Sequence, residues 1–339
     1  MNKSAKYAIN GALLGAIVNS ALNALRQNNN SENSEFDWES FFGAMLKGGA
    51  IGGVGGFVIG AIRDNEMSKT LLATGGTIGF INSILENYSD AEDWLPKKAH
   101  RIQQILYKEY EKCLSEYPSI SGSQIRGTAI QNSDIDIQIR FNKKAGGIRE
   151  IRETLEGFLK TKYEDDESVN VRSQEHSIGL LFEKGRIDIV PMREIENGQG
   201  DTYIYSQKND SIKKTNAYKQ FTHLTLTDKQ KQIIRLLKGW KSNNDLRLPS
   251  TIIEHIIQRM FKDESVPRGL DKALLFSIEY LGNNIKSIRI VDPANTNNII
   301  SDSITENEKS TIQNFCNMML NEIGYDERNI LDFFHLSDS

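Results

Sequence analysis

The sequence predicts an α+β fold in which a mixed β-sheet with helices is followed by a lobe of helices. Short segments between residues 134 and 206 alternate apolar and polar residues, as strands with one buried face do. A helical pattern interrupts them at 147–162, and helical patterns dominate again from Thr227 to the end of the chain. Together these observations predict one lobe built on a sheet and a second built from helices.

The elements of the first lobe are predicted from their individual patterns. An amphipathic helix is expected over 92–117, where apolar residues such as Ile102 and Leu106 recur at helical spacing. The first strand is followed by the helix at 147–162, so the lobe contains both kinds of element. The predicted strands lie at 134–141, 178–182, 186–190 and 202–206.

Length, charge and cysteine content allow a multidomain globular protein. The chain has 339 residues, which suggests two or three domains at roughly 150 residues each. The net charge of −4 argues against a general nucleic-acid coat but leaves room for local basic grooves. Cys113 and Cys316 lie far apart in helical patterns, so we expect buried free thiols in a reducing cytoplasm.

Residues 1–90 form a predicted N-terminal region rich in glycine, alanine and isoleucine. Its apolar stretches carry glycines four residues apart, which line up on one helix face and let another backbone approach closely. We therefore expect a helical region that joins copies of the chain, contacts a membrane through residues 8–85, or packs as a soluble hairpin. The three stretches are Ala8–Leu25, Ala44–Ile62 and Leu71–Leu85.

The apolar stretches are poorly suited to crossing a membrane. A spanning helix needs about 20 mainly apolar residues, whereas the middle stretch has fifteen uncharged residues at 48–62, seven of them glycine. Asparagines at positions 10, 19 and 23 make insertion of the first stretch costly. These features favour the interpretations without membrane contact.

The segment 122–136 holds the residues that decide the chemical interpretation. Asp134 and Asp136 lie two apart in a predicted strand, so both carboxylates point to one face while alternate isoleucines point into a core. Upstream, Gly122 and Ser123 form a predicted tight turn whose hydroxyl and backbone N–H groups can wrap a phosphate. A third acid, Asp188, lies in a similar strand pattern. Three acids beside such a turn predict a metal-dependent phosphoryl-transfer site.

The same acids are the predicted metal ligands. Asp134, Asp136 and Asp188 would hold two divalent cations, most simply Mg²⁺, because carboxylate oxygens suit that ion, with Mn²⁺ as the alternative. An isolated Asp-x-Asp is more often a pair of surface carboxylates on a solvated strand face. The turn and the third acid together favour catalysis here.

The order Gly-Ser, Gly-Thr, Ser-Asp-x-Asp over residues 122–136 resembles the nucleotidyltransferase superfamily of the DNA polymerase beta type. Within that superfamily the pattern is most similar to oligoadenylate synthetases and to the bacterial cGAS/DncV-like nucleotidyltransferases (CD-NTases). The resemblance covers roughly residues 92–335 and leaves the first ninety residues unexplained. It implies a palm-like catalytic lobe at 91–225 and a helical lobe at 226–339 that closes a nucleotide cleft.

The resemblance also implies a set of nucleotide-binding residues. Lys238 stands in the Leu-Leu-Lys-x-Trp context in which the family places a lysine over the triphosphate. Ser250 matches the family's second phosphate ligand, and Ser123 would be the ligand from the turn that begins at Gly122. Lys241, on the same helix as Lys238, is more simply a solvated side chain.

Several residues near these motifs keep two interpretations. Arg126 could meet a phosphate or a neighbouring carboxylate, and Thr128 and Ser133 are expected to cap local backbone groups. Tyr203 and Tyr205 lie on one face of a predicted strand and would either stack on a base or pack in the core. Base recognition is therefore not assigned from the sequence.

The activity implied by the resemblance is template-independent transfer of a nucleotidyl group from a nucleoside or deoxynucleoside triphosphate to a hydroxyl, with release of pyrophosphate. The product would be a signalling nucleotide (a cyclic di- or trinucleotide or a linear oligomer) or a short single-stranded DNA, in bacterial anti-phage defence. A separate effector protein, often membrane-bound in relatives, would respond to it. Because such an enzyme needs cellular triphosphates, we expect it in the cytoplasm.

Two alternatives come from other functional classes. The first is a toxin-type nucleotidyltransferase that modifies a protein or a tRNA. The second is a non-catalytic scaffold or membrane protein that uses the nucleotide fold as a sensor, which the intact set of three acids argues against. The motifs do not specify the base, the sugar, the linkage, the activating signal or the oligomeric state.

Overall fold

The computed structural model describes residues 77–89, 94–131, 133–196, 200–326 and 329–334 of the chain. Within these residues the protein has the α+β architecture that the sequence predicts. One lobe is built on a mixed sheet and the other from helices, and each lobe has its own hydrophobic core.

A seven-stranded sheet forms the first lobe. Its strands are β1 (Ser119–Ser121), β2 (Ile135–Phe141), β3 (Asn170–Ser173), β4 (Ile178–Phe182), β5 (Gly185–Glu194), β6 (Thr202–Ser206) and β7 (Ser211–Thr215). The order is β1-β2-β5-β4-β3, with β6 paired to β5 and β7 paired to β6. Strands β2 and β5 run parallel, whereas the other pairs of this sheet are antiparallel. A separate hairpin joins β8 (Val291–Asp292) to β9 (Asn295–Ile299).

The four strands predicted from the sequence are confirmed as β2, β4, β5 and β6, and β5 extends beyond its predicted end at residue 190. Strands β1, β3 and β7 were not predicted. They are short and polar, and the side chains of β3 are largely exposed, so they lack the apolar alternation of a half-buried strand.

The helices of the described residues are α1 (Thr77–Ser89), α2 (Trp94–Tyr110), α3 (Ser123–Arg126), α4 (Ile148–Lys162), α5 (Ala217–His223), α6 (Asp228–Asn243), α7 (Ser250–Asp263), α8 (Leu270–Asn284), α9 (Glu306–Tyr325) and α10 (Ile330–Phe333). Helices α2 and α4 pack on the sheet through apolar faces that include Leu106 and Leu155. The helix predicted over 92–117 is shorter than expected, because a 3-10 turn at Glu111–Cys113 follows α2.

Capping boxes define where two helices of the second lobe begin. The hydroxyl of Thr227 accepts from the backbone N–H of Gln230, whose side chain in turn accepts from the Thr227 N–H at 2.7 Å. Thr305 and Glu308 form the same arrangement at the start of α9. Such reciprocal bonds satisfy amide groups that an α-helix leaves unpaired at its N-terminus. The start of α6, the helix that carries Lys238, is thereby fixed.

The core of the helical lobe includes part of the N-terminal region. Trp240 of α6 is fully buried, and its indole N–H donates to the Met319 sulfur at 3.1 Å. Phe80, Ile81 and Ile84 of α1 are buried in the same cluster. The end of the glycine-rich region thus packs on the helical lobe.

The other predictions for the N-terminal region, including the stretches Ala8–Leu25 and Ala44–Ile62, lie outside the described residues. In the part of the chain that is described, no helix has the length and apolar character needed to cross a membrane. Cys316 is buried as expected, whereas Cys113 is exposed in the turn after α2, which corrects the prediction of two buried thiols.

Candidate active site

The parallel pairing of β2 with β5 sets the positions of the three acids. Asp136 and Asp188 are partners in this register, so they lie side by side on adjacent strands. In β2 buried and partly exposed residues alternate, which puts Ile135 and Ile137 in the core and Asp136 on the opposite face. Asp134 immediately precedes β2, two residues from Asp136. The structure therefore brings all three acids to one face of the sheet.

Gly122 belongs to the predicted turn and packs against the Asp136 carboxylate. Its φ is +69°, and a Cβ built on it would lie 1.9 Å from Asp136 Oδ2. Glycine is needed here both for the backbone conformation and for the close approach of the carboxylate. Helix α3 follows, and its C-terminal end is closed by a hydrogen bond of 3.0 Å from the Thr128 N–H to the Ser123 carbonyl.

The acids and the turn open into a cleft of about 540 Å³ between the sheet lobe and helices α6 and α7. Of the predicted nucleotide-binding residues, Ser123, Lys238 and Ser250 line this cleft, and Gly122 lies against the Asp136 carboxylate instead. The lining residues are Ser123, Arg126, Ile130, Gln131, Ser133, Asp134, Asp136, Arg186, Asp188, Lys238, Gly239, Lys241, Ser242, Asn243, Ser250 and Thr251.

Burial makes the negative charge of the three acids unfavourable. Desolvation is the largest influence on each pKa and raises all three, that of Asp188 to about 6. Repulsion between neighbouring acids adds to the effect at Asp136 and Asp188, whereas the positive charge of Arg186 opposes it at all three. The face consequently carries negative charge that a bound cation would stabilise.

Arg186 is a site residue that the sequence analysis missed. Its Nε lies 3.1 Å from Asp188 Oδ1, and its Nη2 donates to Asp134 Oδ2. The guanidinium therefore joins two of the three acids. The signal was present in the sequence, because Arg186 precedes Asp188 by two residues and strand residues two apart share a face.

Gln174, which follows β3, is a second residue that the sequence analysis missed. Its Nε2 donates to Asp188 Oδ1 at 2.8 Å, and its Oε1 accepts from the Ser177 hydroxyl at 3.2 Å. Its backbone carbonyl accepts from the buried guanidinium of Arg152. Because the amide is held from both ends, it fixes one oxygen of Asp188.

The donor chemistry of the acids fits a divalent metal ion. Carboxylate oxygens are preferred ligands of Mg²⁺ and Mn²⁺, and burial raises the pKa of each of these three acids. Within the described residues, however, no three His, Cys, Asp or Glu side chains already stand in a metal-binding arrangement. Asp134 and Asp188 are engaged by Arg186 instead, so binding of an ion would require that guanidinium to move.

The Lys238 ammonium group is buried in a polar network rather than free in the cleft. It donates to the Thr128 carbonyl and hydroxyl, both at 3.0 Å, and to Glu254 Oε1 at 2.8 Å. Burial lowers the pKa of Lys238, and the charge of Glu254 opposes that effect. Thr128 was expected to cap local backbone, but its hydroxyl donates to Glu254 at 2.6 Å. Ser133 does cap locally, accepting from the Ile130 N–H.

Two further basic residues of the cleft, Arg126 and Lys241, have partners in the structure. Arg126 Nε lies 2.8 Å from Glu254 Oε2, so this side chain meets a carboxylate. Lys241 is not a simple solvated side chain, because its ammonium group is partly buried and donates to the Leu248 carbonyl at 2.8 Å. Burial lowers the pKa of Lys241.

The two tyrosines do not line the cleft. Tyr205 is buried in the core of the sheet lobe, its hydroxyl donates to Asp210, and the Arg149 guanidinium lies over its ring. Tyr203 is partly buried against the same core. The structure therefore favours core packing for both residues over stacking on a base.

Comparison with solved structures identifies the fold. With TM-score 0.62, the chain resembles the CD-NTase CdnG of Bradyrhizobium diazoefficiens in complex with GTP, at 12% identity over 76% of this chain and 94% of that one. CdnC of Escherichia coli MS115-1 with ATP gives 0.56 at 19% identity, covering 72% and 90%. Vibrio cholerae DncV, a cyclic AMP-GMP synthase, gives 0.52 at 12% identity, covering 86% of both chains.

No protein-family model and no curated protein matches the sequence. The chain nevertheless has the nucleotidyltransferase fold of the CD-NTases, as the resemblance in residues 122–136 implied. At these identities the similarity establishes the fold, and the site must be interpreted from its own residues.

Replacing Gly122 by alanine should disrupt the site. The added Cβ would collide with Asp136, and the positive φ would strain an alanine backbone, so we expect a loss of about 2 kcal/mol or more in the free energy of unfolding. Urea titration followed by circular dichroism measures this. The matched control is Gly157→Ala in α4, where a Cβ meets nothing within 4 Å, and a gain of about 0.5–1 kcal/mol is expected. Equal stability of the Gly122→Ala variant and wild type would contradict the assigned turn geometry.

Asp188→Asn should stabilise the metal-free protein at high pH. Because burial raises the pKa of Asp188 from 3.8 to about 6, the folded state binds more protons than the unfolded state between these values, and this group's contribution to stability falls as the pH rises. In EDTA we expect the variant to exceed wild type by roughly 1–3 kcal/mol at pH 8 and to match it near pH 4.

The control for this pH effect has the opposite sign. Lys214 lowers the pKa of Asp201, so the stabilising contribution of Asp201 is present at pH 8 and is lost as the pH falls through its folded pKa. Asp201→Asn should therefore be less stable than wild type at pH 8. An Asp188→Asn variant that is also destabilised at pH 8 would show that Asp188 carries no burial penalty.

Proposed function

We propose that the protein is a nucleotidyltransferase that transfers a nucleotidyl group from a nucleoside or deoxynucleoside triphosphate to a hydroxyl and releases pyrophosphate. The observation that carries the proposal is the placement of Asp136 beside Asp188, with Asp134 adjacent, in the cleft that also contains Ser123 of the Gly122 turn. The fold supports it, since neighbours with this fold include cyclic dinucleotide synthases.

In this proposal Asp134, Asp136 and Asp188 hold two divalent cations, Mg²⁺ or Mn²⁺. When bound, such ions lower the pKa of an attacking hydroxyl and stabilise the charge of the leaving pyrophosphate. Gln174 orients Asp188 through its hydrogen bond of 2.8 Å. Arg186 would have to leave Asp134 and Asp188 for the ions to bind, and it would remain a cation of the cleft lining.

The triphosphate would lie in the same cleft as the acids, along the residues that line it. Ser123 supplies a hydroxyl from the turn, and Ser250 supplies another from the first residue of α7. Lys238 contributes positive charge to this lining through the network with Glu254 and Thr128. The two lobes hold the substrate between them, because the lining residues come from both.

We further propose that the product is a signalling nucleotide or a short oligonucleotide made without a template. The neighbouring folds include enzymes that make cyclic dinucleotides, which favours a product of that kind. A role in anti-phage defence and a separate effector protein that binds the product complete the proposal.

The decisive variant is the double substitution Asp134→Ala with Asp136→Ala. Wild-type protein incubated with each labelled triphosphate and Mg²⁺ or Mn²⁺ should yield pyrophosphate and a nucleotide product, resolved by mass spectrometry. The double variant should lose product below detection while remaining folded, because it removes two mutually repelling carboxylates and leaves the strand core intact.

The control is Asp302→Asn, an exposed acid outside the cleft, which should leave turnover unchanged. Turnover retained in the double variant would defeat the proposed mechanism. A soluble product from triphosphates alone would argue against a toxin-type activity, whereas a mass shift on co-expressed protein or RNA would favour it.

A further inference from the structure

Glu254 lies at the junction of the two lobes. Its side chain is fully buried, with a relative exposure of 0%, and it comes from α7, one turn after Ser250. Its carboxylate accepts from the Thr128 hydroxyl at 2.6 Å and from the Lys238 ammonium at 2.8 Å. The second oxygen lies 2.8 Å from Arg126 Nε. One acid thus joins the segment after the phosphate-binding turn to α6 and α7.

All three hydrogens of the Lys238 ammonium group are committed in this network. A lysine has three N–H donors, and those of Lys238 go to the Thr128 carbonyl, the Thr128 hydroxyl and Glu254. Direct donation to a phosphate would break one of these buried bonds. Breaking a buried charged bond is unfavourable, because each partner has already lost its hydration.

Unlike Lys238, Arg126 has N–H donors that remain available to a ligand. Only its Nε faces Glu254, and within the described residues neither Nη atom makes a hydrogen bond or ion pair. Its side chain lines the cleft and is 18% exposed, against 5% for Lys238. A guanidinium is a planar fork with five donors, and its terminal N–H groups match the oxygens of a phosphate.

The net charge of this network also favours Arg126 over Lys238 as the residue that meets a phosphate. Arg126 and Lys238 carry two positive charges and Glu254 one negative charge, so the cluster has one surplus positive charge. Lys238 and Glu254 are enclosed, whereas Arg126 reaches the cleft. The surplus charge is therefore presented at the wall that faces the acids.

From this geometry, and resting on the proposed function, we infer that Arg126 binds the substrate's phosphates directly and that Glu254 is the positioning residue that aims it. The positive charge of Lys238 keeps the buried Glu254 carboxylate ionised, and Lys238 itself does not contact the phosphates. The effect of Glu254 on the substrate is exerted through Arg126. A phosphate was one of the two interpretations of Arg126 in the sequence, whereas the supporting role of Glu254 does not follow from the sequence motifs.

Calorimetric binding with ligands that share phosphates but differ in the base tests the inference. The probes are the non-hydrolysable α,β-methylene analogues of ATP, GTP, CTP and UTP, together with inorganic tripolyphosphate. Arg126→Gln should weaken every ligand that binds wild type by about tenfold or more, the loss expected for hydrogen bonds to a charged group. The preference among bases should not change, because Arg126 contacts phosphate alone. Arg126→Lys should recover part of the affinity, since it restores the charge but not the fork.

Glu254→Gln should weaken the same ligands in the same proportion. The double variant with Arg126→Gln should be no weaker than Arg126→Gln alone, since Glu254 acts through Arg126. If Glu254→Gln does not fold, Arg126→Gln decides the question, because it leaves the bonds among Lys238, Thr128 and Glu254 in place. Matched controls are Arg259→Gln and Asp263→Asn, an exposed ion pair on the same helix, which should not change binding.

The outcomes separate the inference from the proposed function. Wild type that binds none of the analogues in Mg²⁺ or Mn²⁺ would overturn both. Wild type that binds, with unchanged affinity in Arg126→Gln, would overturn the inference and leave the proposed function standing. Additive losses from Arg126→Gln and Glu254→Gln would show that Glu254 does not act through Arg126 and would overturn its positioning role. A changed base preference in Arg126→Gln would show that Arg126 does not contact phosphate alone and would overturn its assignment.

Discussion

The register between β2 and β5 is the constraint on which the whole candidate site depends. Asp136 and Asp188 are partners across these parallel strands, and the residues on either side of each are buried isoleucines. A slip of one residue in either strand would exchange the faces, burying an acid and exposing an isoleucine. The apolar core of the sheet lobe fixes the register of the strands, and it thereby fixes the relative positions of Asp136 and Asp188.

The cleft separates charge into two walls. The acids form a negative wall on the sheet, and Arg126 with its support forms a positive wall at the junction with α6 and α7. Buried ion pairs are weak evidence for stability, since desolvation offsets much of their attraction. The enclosed pair of Glu254 and Lys238 is better explained by the placement of charge in the cleft than by a contribution to folding.

The sequence predicts those parts of the protein that rest on local patterns. Strand alternation located the acids, because period two determines which side chains share a face. The same rule would have found Arg186, had it been applied to the residues before Asp188. Strands β3 and β7 were not predicted because they are short and polar and lack an apolar stripe.

The remaining contacts depend on tertiary structure that no local pattern shows. Thr128 and Glu254 are 126 positions apart, and Lys238 lies 110 positions from Thr128. The Leu-Leu-Lys-x-Trp context of Lys238 carries no signal that the three donors of this lysine are already used. The partners of Gln174 likewise come from separate elements, since β3, β4 and β5 bring it to Asp188.

A crystal structure with Mn²⁺ and a bound α,β-methylene triphosphate analogue would test directly whether the three acids bind metal ions. Anomalous scattering from manganese would locate the ions directly. Manganese should contact carboxylate oxygens of Asp134, Asp136 and Asp188, Arg186 should be displaced from these acids, and the phosphates should lie beside Ser123. Manganese bound elsewhere, or Arg186 still paired with Asp134 and Asp188 while the analogue occupies the cleft, would contradict this prediction.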